Sequence, residues 1–342
     1  MASPLRALGV DNPVLAAPMA GGPSTPALVV AAARTGSLGF LAGGYRTADA
    51  LAEQISEVRS RVAFGVNLFA PNPLPVDPRD FRRYAAAIAP EARAFGIDTG
   101  PADIVEDDDH WTDKVDLLLA APVPVVSFTF AVPEPALVAS LRAAGTLVVQ
   151  TVTSPAEALL AAEAGADVLA VQASAAGGHS GTFTPEHVPA PVPLTELLGR
   201  VRATVSLPLV AAGGLAGPGD VAGALRAGVD AVMAGTALLR ADEAGTSLPH
   251  RAALADPGRR RTVVTRAFTG RPARALANRF TDRHSGHAPS GYPALHHLTR
   301  PMRQAAAAAD EPELIHLWAG TGYRDATAEP AARILTRLAS RV

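Results

Sequence analysis

The chain has 342 residues, 48% hydrophobic and 18% charged, with 30 basic against 32 acidic residues and a formal net charge of −2. That composition supports a large core, excludes a disordered chain, and lacks the basic excess of a nucleic-acid footprint. Cysteine is absent and Lys114, beside the acidic run Glu106-Asp107-Asp108-Asp109, is the only lysine; this excludes disulfides, thiolate nucleophiles, iron–sulfur clusters and Cys-ligated zinc, and argues against Schiff-base chemistry.

Pro13 and Pro18 interrupt the apolar stretch near the N-terminus. No signal peptide and no membrane contact are expected, and a cytoplasmic enzyme follows as the default. Eight continuous apolar runs then recur, at residues 14–19, 38–42, 63–69, 123–130, 146–152, 167–173, 207–212 and 231–239. Continuous rather than alternating apolar character is the mark of parallel strands buried on both faces. Helical patterns follow most of them, at 25–34, 48–59, 134–144, 155–164, 194–203 and 218–227. Thr25-Pro26, Ser154-Pro155 and Pro133-Glu134 read as helix starts, and Gly36, Gly145, Gly165 and Gly228 as helix ends. The one long connection, 70–122, should hold a helix near 78–95 and then a surface excursion.

Eight such units predict a TIM (β/α)₈ barrel rather than an open doubly wound sheet. After Leu239 the rhythm stops and the chain becomes richer in Arg, His, Pro and Gly. The expected organisation is a barrel over 1–240, completed by 317–342 with a last helix near 330–338. A second, smaller, mostly helical α/β domain, 241–316, is inserted after the eighth strand.

Barrel chemistry sits at the C-terminal ends of the strands. There the sequence places Pro18-Met19-Ala20-Gly21-Gly22 after the first strand, Asn67 in the third, and Gln172 with Ala176-Gly177-Gly178-His179-Ser180-Gly181 at the sixth. Gly213-Gly214 follows the seventh strand, and Met233, Ala234, Gly235 and Thr236 stand on the eighth. The last two loops have the makings of a phosphate cradle, since glycine lets backbone N–H groups approach an anion closely. His179 is the sharpest candidate: a neutral imidazole with an ordinary pKa near ~6.5 is suited to removing a proton near pH 7. Asn67 and Gln172, inside apolar strands, must bond a neighbouring strand or a planar ligand. Asp282, His284 and His287 have metal-like spacing, but their segment is irregular and no metal is expected. His110, His187, His250 and His316 read as surface or packing residues.

At these residues the chain resembles the nitronate monooxygenases, formerly 2-nitropropane dioxygenases. The matches are Ala17-Pro18-Met19-Ala20-Gly21-Gly22, Gly36-Ser37-Leu38-Gly39-Phe40-Leu41, Phe64-Gly65-Val66-Asn67-Leu68, Ala176-Gly177-Gly178-His179-Ser180-Gly181 seven residues beyond Gln172 (counted from Gln172 to His179), Ala211-Ala212-Gly213-Gly214 and Met233-Ala234-Gly235-Thr236. The resemblance implies a barrel holding FMN, with cofactor contacts from Ala17, Pro18, Met19, Ala20, Asn67, Gln172, Gly177, Gly178, Gly213, Gly214, Met233, Ala234, Gly235 and Thr236. It implies His179 as the proton-abstracting base, nitronates or nitroalkanes and O₂ as partners, a second domain over the flavin face, and Trp318-Ala319-Gly320 as a return loop near the flavin. A monomer or homodimer is expected. Many members carry Gly and Glu where this chain has Ala173-Ser174-Ala175. Two alternatives stay open: an FMN-dependent NAD(P)H reductase, resembling the enoyl-acyl-carrier-protein or quinone reductases, and a flavin-storing barrel without catalysis.

Overall fold

The computed structural model describes residues 4–100 and 102–342; Met1 to Ser3, at the start of the expected barrel segment, and Pro101, inside the long connection, lie outside them. Eight parallel strands close into a barrel. They are β1 (Val14–Ala16), β2 (Gly39–Ala42), β3 (Phe64–Phe69), β4 (Val125–Thr129), β5 (Leu147–Val152), β6 (Val168–Gln172), β8 (Leu209–Ala212) and β9 (Ala231–Ala234). The remaining early strand, β7 (Gly178–His179), belongs to another sheet. Each of the eight apolar runs contains one barrel strand. Two strands, β1 and β9, stop well before their runs end. After Ala16, Pro18 has no N–H and Met19 N bonds the Ser24 hydroxyl at 2.9 Å instead of a strand. Beyond Ala234 the chain tightens into a 3₁₀ turn, Thr236–Leu238.

The barrel helices are α1 (Pro26–Ala33), α2 (Ala48–Arg59), α3 (Pro78–Arg93), α4 (Trp111–Ala120), α5 (Pro135–Ala143), α6 (Pro155–Glu163), α7 (Leu194–Arg202) and α8 (Pro218–Arg226). Thr25 caps α1 and Ser154 caps α6 through their hydroxyls. Glu134 leads into α5 without a side-chain cap. Gly36, Gly145, Gly165 and Gly228 all have the left-handed backbone that ends a helix. Helix α4 stands where the sequence suggests only a surface excursion. Its inner face carries Lys114, 1% exposed, whose ammonium pairs with Asp109 at 2.8 Å. The acidic run is therefore partly structural.

Inside the barrel, Leu15, Phe40, Val125, Val149, Ala170, Val210 and Met233 form one cluster. Phe40 fills space that β3 leaves at Gly65, where a Cβ would come within 2.3 Å of its ring. A second layer packs between strands and helices; it includes Ile334, Leu335 and Leu338 of the last helix, α12 in chain order (Ala331–Leu338), which packs against α1 and α8.

Between β9 and that helix lie α9 (Leu248–Ala255), β10 (Thr262–Thr265), β11 (Ala273–Leu276), α10 (Arg279–His284) and α11 (Ala294–Ala308). Strands β10, β11 and β7 form a three-stranded sheet. Phe268, Phe280, Leu295 and Met302 share a core with Phe81, Tyr84 and Ile88 of α3, so the long connection and this segment are buried together. Among the described residues, no helix is long and apolar enough to cross a membrane.

A Cβ on Gly39 would lie 2.7 Å from the Val29 Cα, so β2 and α1 touch backbone to backbone. Gly39→Ala should therefore lower stability by about 1–3 kcal/mol, read as a fall in the urea midpoint at unchanged slope.

Candidate active site

A cavity of about 300 Å³ opens at the C-terminal ends of the barrel strands. Every site residue expected from the sequence lines it. Ala17, Pro18, Met19 and Ala20 come from the loop after β1, and Asn67 from β3. Gln172, Gly177, Gly178 and His179 follow along β6 and β7. Gly213 and Gly214 follow β8, and Met233, Ala234, Gly235 and Thr236 close the ring from β9.

The two amides are committed to the protein. Asn67 Nδ2 faces Ser127 Oγ at 2.9 Å and Thr129 Oγ1 at 3.0 Å. Its Oδ1 accepts nothing from the described residues. Gln172 grips the loop that follows it: Nε2 donates to His179 O at 3.2 Å and Oε1 accepts from Gly181 N at 2.7 Å. Glu157 holds the same loop further on, accepting from Phe183 N at 2.8 Å and from the Thr182 hydroxyl at 2.9 Å. Thus the far side of the glycine-rich loop, from His179 to Phe183, is pinned by side chains of β6 and α6.

His179 pairs through its backbone with Ala273 of β11. Its Nε2 lies 2.9 Å from Thr269 Oγ1, and its ring stands 5.3 Å from Trp318 and 5.8 Å from Phe130. Burial among these rings, and then the positive charges of Arg271 and Arg303, push its pKa down to about 3. The sequence suggests an ordinary imidazole in a loop; the structure makes it a half-buried one, neutral across the physiological range and a weaker base than a free imidazole. Gly213 and Gly214 have left-handed backbones, with φ of 95° and 76°. Their N–H groups, and that of Gly235, have no acceptor among the described residues. Gly177 sits where a Cβ would meet Gly320 N at 2.5 Å, which brings the return loop against the cavity.

The comparisons with known proteins agree with this geometry. The pattern of the nitronate monooxygenase family matches residues 3–340. The chain belongs to that family. It is accordingly an enzyme, an oxidoreductase. A probable nitronate monooxygenase of Staphylococcus aureus (strain Newman) is 33% identical over 341 residues, 98% of this chain and 95% of the relative. The crystal structure of a nitroalkane oxidase from Streptomyces ansochromogenes is 44% identical, covers 99% of this chain and 97% of its own, and superposes with a TM-score of 0.93. FabK from Thermotoga maritima, 24% identical over 98% of this chain and 94% of its own with a TM-score of 0.75, shares the fold.

For this nitronate monooxygenase family member, the sequence left part of the cavity wall unread. Tyr45 follows Gly43-Gly44 at the end of β2, a polar aromatic at a strand end that could have been noticed. Thr129, Thr151 and Arg303 also line the cavity, as do His250 and His316, which read as surface or packing residues in the sequence. Arg303 lies on α11 and carries no motif. The Asp282–His284–His287 spacing resolves differently: His284 bonds Glu91 at 3.3 Å and His287 at 3.2 Å. Among the described residues, no cluster suited to a metal ion occurs.

His250, pushed down to about 4 by burial, and His296 and His316, also lowered by burial, share the neutral state of His179. Unfolded, each binds a proton near pH ~6.5. The unfolded chain therefore takes up more protons below that pH, so stability is full above it and lost as pH falls towards 4 and 3. Asp109, raised to about 6 mainly by burial, works in the opposite direction but is one group against four. The thermal midpoint should drop steadily between pH 6.5 and 4, and substituting His250 by Gln should flatten that drop.

Proposed function

We propose that this enzyme oxidises nitronates, and nitroalkanes by way of their nitronates, to carbonyl compounds and nitrite, with FMN as cofactor and O₂ as co-substrate. The observation that carries the reading is His179, neutral and partly buried, on the wall of a cavity framed by glycine-rich loops in a member of this family. The residues present suit a flavin mononucleotide. Gly213, Gly214, Gly235 and Thr236 offer a side-chain-free edge with unbonded N–H groups for the phosphate. Asn67 has its Oδ1 left over to accept from a ring N–H, and Met19, Gln172, Gly177, Gly178 and Met233 would bound the ring, with Ala17, Pro18, Ala20 and Ala234 packing beside it. When bound, FMN would take electrons from the nitronate and pass them to O₂.

The chain's own residues account for the proton. Thr269 Oγ1 donates to Arg271 O at 3.4 Å, so His179 Nε2 carries the hydrogen towards Thr269 and Nδ1 keeps a lone pair. Nδ1 takes the α-proton of a nitroalkane. The low basicity of the imidazole is offset as the nitronate charge forms beside the new imidazolium. Segment 241–316 is read as a small covering domain: its α11, together with Trp318 and Phe130 from outside it, excludes water, and its β11 supplies the partner strand for His179.

Mixing the oxidised protein anaerobically with a nitronate should bleach the flavin absorbance, whereas NADPH should leave it unchanged. Bleaching by NADPH alone would move the chain to the reductases, and failure to take up FMN on reconstitution would remove the cofactor assignment. His179→Asn should slow nitroalkane turnover by about 100-fold or more while nitronate turnover changes only a few-fold. Equal losses on both substrates would rule out the base.

A further inference from the structure

Arg303 is the one charged residue on the cavity wall, and among the described residues no Asp or Glu lines that cavity. It is 5% exposed. Its Nε donates to the Thr299 hydroxyl at 3.0 Å, one terminal nitrogen to His316 at 3.2 Å, and the other to His296 O at 3.0 Å. An imidazole facing a guanidinium can only accept, so these partners are neutral and leave the charge uncompensated. Behind it Arg271, fully buried, lays its guanidinium 3.8 Å above the Phe130 ring with Nε and one terminal nitrogen unpartnered. Neither arginine forms an ion pair among the described residues. The nearby acids are engaged elsewhere: Asp109 with Lys114, Glu157 with Thr182 and Phe183.

A buried cation without a counter-ion is a costly arrangement unless a ligand completes it. We propose that Arg303 is the residue that selects the anionic form of the substrate, pairing with the planar O–N–O⁻ group of the nitronate. This rests on the nitronate reading above and adds the group that distinguishes a charged substrate from a neutral one of the same shape. It also gives His179 its setting: the same positive charge that lowers its basicity stabilises the anion left when the proton is taken. Arg303 additionally braces α11, through Thr299, His296 and His316, so a merely structural role must be separated from charge selection.

The test compares isobutyrate, whose carboxylate has the shape and charge of a nitronate, with the neutral isobutyramide. Both are titrated by calorimetry into the purified protein and its variants. Arg303→Gln should weaken isobutyrate binding by about 10- to 100-fold, the weight of a charge-assisted hydrogen bond. It should leave isobutyramide within about twofold, and Arg303→Lys, which keeps the charge but not the bracing geometry, should recover most of the difference. Equal weakening of both compounds in Arg303→Gln would reduce Arg303 to a scaffold residue and overturn the proposal. So would unchanged isobutyrate binding. The titration needs no turnover, so a failed flavin assignment, seen in the visible spectrum, is distinguishable from a failed role for Arg303.

Discussion

The architecture of the cavity depends on one short pairing. Gly178 and His179 join Arg274 and Ala273 in an antiparallel ladder that ties the loop after β6 to the segment beyond β9. Two residues of ladder are marginal on their own. They hold because other bonds converge on the same loop: Gln172 at His179 and Gly181, Glu157 beyond it, and Arg274 Nε on Ser174 O at 2.7 Å. Without this clasp His179 would stand in solvent as an ordinary loop histidine. With it, the imidazole is fixed against Thr269 and Trp318 and kept neutral.

The clasp also explains the charge balance of the cavity. Closing α11 and the return loop over the barrel mouth buries Arg303 together with several imidazoles. The guanidinium donates in every direction and imposes acceptor roles on His296 and His316. Desolvation then favours the neutral state of every histidine in the group, while the arginine stays charged. The result is a positive end next to a neutral, glycine-rich end. A fold optimised only for stability would place a carboxylate there or replace the arginine. Departures of this kind from local rules are expected where a ligand completes the structure.

Much of this was legible in the sequence because of the physics of parallel barrels. Strands covered on both faces leave continuous apolar runs, and all eight stood out. Thr25, Ser154 and the terminal glycines marked helix ends through local bonds and local backbone conformation, which need no knowledge of the rest of the fold. The glycine loops and His179 were visible because barrel chemistry has a fixed address at the strand ends. What stayed hidden was set by distant partners. Strand β7 is two residues long, with no apolar signal, and exists only because β11 lies beside it. Lys114 sits among acidic residues yet is buried on the inner face of α4. Tyr45 and Arg303 reach the cavity from opposite ends of the chain, one through a left-handed turn and one from helix α11. The lowered basicity of His179 follows first from burial under distant segments and then from Arg271 and Arg303, far from it in sequence.

The tripeptide Ala173-Ser174-Ala175 brings packing and charge together. A Cβ on Gly213 would fall within 2.9 Å of Ala173 O and 2.8 Å of Ala176 N, and one on Gly214 within 3.4 Å of the Ala175 Cβ. Ala175 O also accepts from Thr321 N at 3.0 Å, which fastens the return loop. Three loops therefore meet almost backbone to backbone, and small side chains are what the space admits. A Glu in this tripeptide would place an acid beside a cavity wall that, among the described residues, has none. At low dielectric a carboxylate there would act over several ångströms on the field of Arg303 and compete with any bound anion. The small side chains keep the loops close and leave the positive potential of Arg303 unopposed, so the tripeptide and the uncompensated arginine belong to one arrangement.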